Sequence, residues 1–165
     1  VIGPGAPILC PPEVTRLKQE AELAVVIGRQ AYRVPEEEAL ACVLGYTAAN
    51  DLGAVDMMEK DGQWVRGKSY DTFCPLGPAL VVGLDPSDLL ITCRVNGREV
   101  QRASTATMFH SVARLIAYAS RVMTLLPGDT IVTGTTPGAV EVRPGDVVEV
   151  EIEGIGVLSN PVAAG

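Results

Sequence analysis

The apolar and polar positions of this chain divide it into short segments that mostly read as strands. The run 23–27, Leu-Ala-Val-Val-Ile, is unbroken and apolar, as in a strand buried on both faces. Residues 43–49, Val-Leu-Gly-Tyr-Thr-Ala-Ala, predict a second strand that ends at Asp51. Residues 79–83 and 89–95 predict two more, and Asn96-Gly97 closes the latter into a hairpin returning from Glu99 to Arg102. In 148–153 apolar and acidic residues alternate strictly, which predicts an ordinary half-buried strand with Glu149, Glu151 and Glu153 in water. Pro127-Gly-Asp129 and Pro144-Gly-Asp146 are similar turns, each launching a strand.

Helical periodicity is rarer. Met108, Val112, Leu115, Ile116, Ala119 and Met123 share one helical face, predicting one long amphipathic helix with Thr107 as its N-cap. Residues 35–42 predict a short helix, with Pro35 in the first turn and Glu36, Glu37 and Glu38 at its positive end. Four prolines in residues 1–12 leave that stretch extended, as an approach to the first core strand. Residues 51–78 show little period and many polar or special residues, the pattern of a functional loop.

A length of 165 residues is most simply one domain, and a chain that starts at Val1 in mid-pattern is expected to have further residues upstream. Apolar residues make up 47% and charged residues 20%, which suits a strand-rich globular protein. The net charge of −7 argues against nucleic acid or an anionic membrane as partner, but a small anionic substrate remains compatible with a local positive site. Cys10, Cys42, Cys74 and Cys93 are scattered, so neither a zinc site nor a disulfide framework is indicated, and a cytoplasmic protein is expected. No apolar run approaches the length of a membrane span.

Candidate chemistry begins at Glu20 and Glu22. Two apart in an extended segment, they project from one face with their carboxylates close together, just before the core run 23–27. If the strand ending at Asp51 lies alongside, a third carboxylate joins them. Three carboxylates without a nearby Cys or His suit a hard cation with oxygen ligands, Mg²⁺ or Mn²⁺ first and Ca²⁺ next. Acidic residues two apart are more often a solvated strand face, as in 148–153, but around Glu20 and Glu22 the alternation does not continue. Lys68, between Gly67 and Ser69, is the interesting cation of the 51–78 stretch, able beside a bound oxyanion to stabilise charge or pass a proton. His110, the only histidine, lies off the predicted apolar helix face, where exposure or a core role is the ordinary expectation. Residues 133–138, Thr-Gly-Thr-Thr-Pro-Gly, offer hydroxyls and backbone N–H groups able to hold a carboxylate.

These motifs occur in a familiar order. Glu-Ala-Glu-Leu-Ala-Val-Val-Ile-Gly28, Ala49-Asn-Asp51, Gly67-Lys-Ser-Tyr-Asp-Thr-Phe73, Pro75-Leu-Gly-Pro78, Val95-Asn-Gly97, Thr105-Ala-Thr-Met108, Leu126-Pro-Gly-Asp129 and Thr133-Gly-Thr135 together resemble the catalytic domain of the fumarylacetoacetate hydrolase family, over nearly the whole chain. The resemblance implies an α+β, mainly β fold with a rolled mixed sheet around the site, one long helix and short helices, and a homodimer. It implies that Glu20, Glu22 and Asp51 bind Mg²⁺, Mn²⁺ or Ca²⁺, that Lys68 is catalytic, and that Gly134 and Thr135 meet the substrate carboxylate.

A small 2-oxo acid can chelate such a cation through its carboxylate and keto oxygens, so that enolate charge is stabilised as a neighbouring bond breaks. Three outcomes then stand open: hydrolysis of an acylpyruvate, decarboxylation of a compound such as oxaloacetate, or isomerisation of a hydroxymuconate-type diacid. A binder of the same fold that has lost its chemistry is the alternative. Its motive lies in departures from the family pattern. Val55 and Met58 stand where an Arg and a Gln are expected, and the Thr-Gly-Thr-Pro turn reads Thr133-Gly-Thr-Thr-Pro137. The His–Glu pair that hydrolytic members carry upstream of the first core strand is not found in these residues.

Overall fold

The computed structural model describes residues 1–165. Its strands are β1 Ile8–Cys10, β2 Leu17–Lys18, β3 Ala21–Ile27, β4 Val43–Asn50, β5 Gly53–Ala54, β6 Leu76–Val81, β7 Leu90–Val95, β8 Arg98–Ser104, β9 Thr130–Val132, β10 Glu141–Val142, β11 Val147–Ile152 and β12 Gly156–Ala164. The α-helices are α1 Glu36–Ala39, α2 Val55–Asp61, α3 Val65–Lys68 and α4 Val112–Val122, with 3-10 turns at Leu40–Cys42 and Thr105–Thr107. The class is the expected α+β, mainly β arrangement. The strands divide among open sheets ordered β1-β12-β11-β7-β8, β6-β4-β3-β9 and β10-β2-β5.

β3 lies between β4 and β9 and is buried almost throughout, as its unbroken apolar run requires. Leu23, Val25 and Ile27 join Tyr46, Phe73, Ile91, Val150 and Leu158 in one contiguous core. The β3–β4 ladder is antiparallel and sets Ala21 opposite Asn50 and Glu22 opposite Ala49. That register carries Glu20 and Asp51 to the same end of the sheet, where the Asp51 N–H donates to the Glu20 carbonyl at 2.9 Å. On the other side, β9 runs on into residues 133–135 alongside the start of β3. There Thr133 donates from both its N–H, at 3.1 Å, and its hydroxyl, at 2.9 Å, to the Leu23 carbonyl.

Two sequence-based expectations change here. The stretch 51–78 is not a plain loop, because α2 and α3 form within it. Both are too short to leave a legible period. The long helix starts at Val112 and not near Met108, and its N-cap is Ser111, whose hydroxyl accepts from the Arg114 N–H at 3.2 Å. Thr107 closes the preceding 3-10 turn by donating its hydroxyl to the Ser104 carbonyl at 2.7 Å. Ser111→Ala should therefore cost about 1 kcal/mol of stability, the usual loss of an N-cap, read as a lower urea midpoint at unchanged slope. Thr107→Ala, which leaves that cap intact, should cost less.

The two Pro-Gly-Asp turns are built alike, as their sequences suggest. Asp129 accepts from the Leu126 N–H at 2.7 Å and Asp146 from the Arg143 N–H at 2.9 Å, and β9 and β11 start just after them. Glu149 and Glu151 of β11 are half-buried, against the expectation of three glutamates in water, and only Glu153, in the turn after it, is exposed; Glu151 pairs with Arg94 at 2.8 Å.

Candidate metal and oxo-acid site

Glu20, Glu22 and Asp51 converge, with one oxygen of each lying within 4.8 Å of the others. Oxygens this close can share one Ca²⁺ at bond lengths of about 2.4–2.6 Å, and small movements of the carboxylates would close them on Mg²⁺ or Mn²⁺, so the donor set fits a hard divalent ion. Each is held by the fold. Asn50 accepts from the Glu20 N–H at 2.9 Å, and the Gly134 N–H donates to Glu22 at 2.6 Å. Gly134 has φ +97°, a conformation that suits glycine, and this backbone aims its N–H at the carboxylate.

Glu22 is only 2% exposed. Burial pushes its carboxyl up to about 7, against the pull of the Gly134 hydrogen bond and with the charges of Asp51 and Glu20 adding to the rise. A buried group of this kind lacks a counter-charge, which a divalent cation would supply.

Lys68 ends α3 and reaches into the cluster. Its ammonium lies 2.8 Å from a Glu20 oxygen, 2.8 Å from an Asp51 carboxylate oxygen and 2.7 Å from the Asp51 carbonyl, which accounts for its three N–H donors. Burial works against the charged form, but the bonds to Asp51 and Glu20 outweigh it and raise the Lys68 pKa above the ordinary value. With three carboxylates and one ammonium, the fully ionised site is doubly negative. One divalent ion balances it.

Met58, at the position where the family pattern has an amide, packs beside Lys68. A side-chain carbon built on Gly53 would come within 2.5 Å of the Met58 methyl, and one built on Gly67 within 2.5 Å of Met58 Cγ. The two glycines thus make room for an apolar buttress under the lysine. Val55 opens α2 and, like Met58, lines the cleft that includes Glu20 and Lys68.

On the far side, residues 133–137 line a separate cleft of about 300 Å³. The Thr135 hydroxyl donates to the Ala21 carbonyl at 3.0 Å and accepts from Gln101 Nε2 at 2.9 Å, so its proton is engaged inside the fold. The N–H groups of Thr135 and Thr136 have no partner in the protein. Gly134 spends its own N–H on Glu22, which makes it a support for the carboxylate cluster.

Sequence patterns gave no sign of Gln101. It is 2% exposed, accepts from the Ala21 N–H at 3.3 Å and donates to the Thr136 carbonyl at 2.7 Å, tying the start of β3 to the threonine turn. A polar residue in a hairpin strand normally faces water, and nothing in its neighbours marks it as buried. Asn50 was visible beside Asp51, but its bond to the Glu20 backbone follows only from the strand register.

Residues 1–163 match the fumarylacetoacetate (FAA) hydrolase C-terminal family. An oxaloacetate tautomerase of Xenopus laevis, named as mitochondrial, is 48% identical over 174 residues, covering 98% of this chain and 54% of the relative. The solved 5-carboxymethyl-2-hydroxymuconate delta-isomerase of Mycobacterium smegmatis superposes with a TM-score of 0.97 at 48% identity, over 99% of this chain and 65% of that one. The fumarylpyruvate hydrolase of Pseudomonas aeruginosa, solved in complex with Mn²⁺ and pyruvate, gives a TM-score of 0.93 at 30% identity over 99% of this chain and 74% of that one. The chain spans 54% to 64% of the length of the curated relatives it matches. None of its helices is long and apolar enough to cross a membrane.

Proposed function

The chain belongs to the fumarylacetoacetate hydrolase family, and on that premise we propose that it is a divalent-metal-dependent enzyme acting on a small 2-oxo or enol diacid. The observation that carries this reading is the convergence of Glu20, Glu22 and Asp51 around one point, with Lys68 in contact with two of them. A bound Mg²⁺, with Mn²⁺ or Ca²⁺ as alternatives, supplies Lewis acidity toward the carboxylate and keto oxygens of a 2-oxo acid. Glu20, Glu22 and Asp51 hold the ion. Lys68 adds positive charge beside the position where an enolate oxygen develops, and its acidic partners keep it protonated for that task. The free Thr135 N–H receives a substrate carboxylate, in place of a hydroxyl already committed to Ala21.

Among the possible outcomes, proton transfer on an oxo diacid is the first choice. The tautomerase and isomerase relatives are 48% identical to this chain, whereas two relatives named as hydrolases are 41% and 30% identical. Tautomerisation needs charge stabilisation at the keto oxygen and movement of a proton, without activation of water. A homodimer in the cytoplasm is the accompanying expectation, and exposed apolar side chains on and beside α4, including Tyr118, Val122 and Met123, are compatible with a covered face.

The test is a calorimetric titration of Mg²⁺ and Mn²⁺ into the metal-stripped protein, followed by an enol-absorbance assay with oxaloacetate. One ion bound per chain and metal-dependent loss of the enol signal are expected. Binding without turnover of any oxo diacid would favour the non-catalytic alternative, which Met58 and Val55 motivate by removing an amide and a guanidinium from this cleft. Failure to bind an ion would sink both.

A further inference from the structure

His110 lines the same cleft as residues 133–137, and no other residue lining that cleft can carry positive charge. The lining includes no carboxylate, lysine or arginine. His110 Nδ1 is buried and has no hydrogen-bond partner in the protein. The ring's other nitrogen, Nε2, has no partner in the protein and is not shut off from solvent, so it is the nitrogen that a ligand in the cleft can reach. Phe109 stands edge-on to the imidazole, with ring centroids 4.7 Å apart. The Thr136 N–H, also without a partner, belongs to the same cleft. It exists because a threonine occupies the position where the family's Thr-Gly-Thr-Pro turn has a proline, which has no N–H to offer. The cleft borders the metal cluster across the Gly134 turn, since Gly134 lines it and donates its N–H to Glu22 at 2.6 Å.

We infer that this cleft receives the second carboxylate of a 2-oxo dicarboxylic acid, with His110 and the Thr136 N–H as its anchors. The inference rests on the metal-site reading, which places the 2-oxo end at Glu20, Glu22 and Asp51. It makes His110 a specificity-determining residue that selects diacids over monoacids. A carboxylate arriving there meets donors that the fold has left unpaired and no competing anion. The Ser104 and Thr107 hydroxyls, by contrast, are occupied by Asp88 and by the Ser104 carbonyl.

Two probes separate the ends of the site. Oxalate is short and tests the metal end alone, whereas 2-oxoglutarate spans both. In calorimetric titrations of the Mg²⁺-loaded protein, His110→Phe should weaken 2-oxoglutarate about tenfold, the size of one charge-assisted hydrogen bond, and leave oxalate unchanged. His110→Gln, which keeps a donor, should fall between. Unchanged 2-oxoglutarate binding by His110→Phe overturns the inference, and so does an equal loss for both probes, which would mark a structural role. A wild type that binds oxalate but not 2-oxoglutarate overturns it while leaving the metal site standing. Binding of neither probe overturns both.

Discussion

Glu22→Gln is expected to abolish high-affinity Mg²⁺ and Mn²⁺ binding and to lower metal-dependent turnover at least about a hundredfold, since the ion's electrostatic contribution is several kcal/mol. The substitution keeps the shape and an oxygen that can still accept from the Gly134 N–H, so the turn need not move. What disappears is the negative charge of the most deeply buried of the three ligands. The metal-stripped proteins should show a pH dependence of the opposite sense. Glu22 titrates at about 7 in the fold against an ordinary 4.5, so folding favours its protonated form. That contribution is complete below 4.5 and is lost as pH rises through 7. The glutamine variant, which has no charge to bury, should therefore gain stability relative to the stripped wild type across that window. Thermal melts at pH 4.5 and pH 8 in chelator check it, and a constant difference between the two proteins would contradict the assignment.

Lys68→Ala should slow turnover about a hundredfold, the order of loss expected when a fixed positive charge beside a developing oxyanion is removed. Metal binding should persist, because the three carboxylates remain. The stripped variant should be less stable than the stripped wild type, since Glu20 and Asp51 lose the ammonium that contacts both. Saturating Mg²⁺ should then raise the melting temperature of the variant more than that of the wild type. An unchanged kcat would remove Lys68 from the chemistry, while a larger metal-induced shift alongside it would keep the lysine as a counter-charge only.

The carboxylate cluster was legible because its logic is local on both sides. Glu20 and Glu22 share a face by strand period, and one antiparallel neighbour suffices to bring up Asp51. Lys68 was different. It sits at the end of a four-residue helix with no readable period, so the sequence marks it as a candidate cation and only the resemblance to a family joins it to the carboxylates. Gln101 gave no signal, and Gly134 was marked only as a substrate contact and not as the support of Glu22, because their partners lie across the fold and such contacts follow from sheet order, which periodicity does not fix. The cap of α4 was misplaced for a local reason. Thr107 and Ser111 are both hydroxyl residues near the start of an apolar stripe, and Ser104 had already drawn Thr107 into a 3-10 turn by accepting from the Ala106 N–H at 2.9 Å. His110 looked unremarkable for the same reason: outside the helix, its surroundings are set by a turn packed against it from elsewhere in the chain.

The pairing of Gly134 with Glu22 spans 112 residues of sequence, and its effect reaches past the cleft. An unfolded chain loses the turn that aims Glu22 at its fellow ligands, so the ion should discriminate strongly between native and denatured molecules. By mass action, free Mg²⁺ at a thousand times its dissociation constant would then add about 4 kcal/mol to the native state. Added Mg²⁺ should then protect the protein from proteolysis in vitro, a readout independent of turnover.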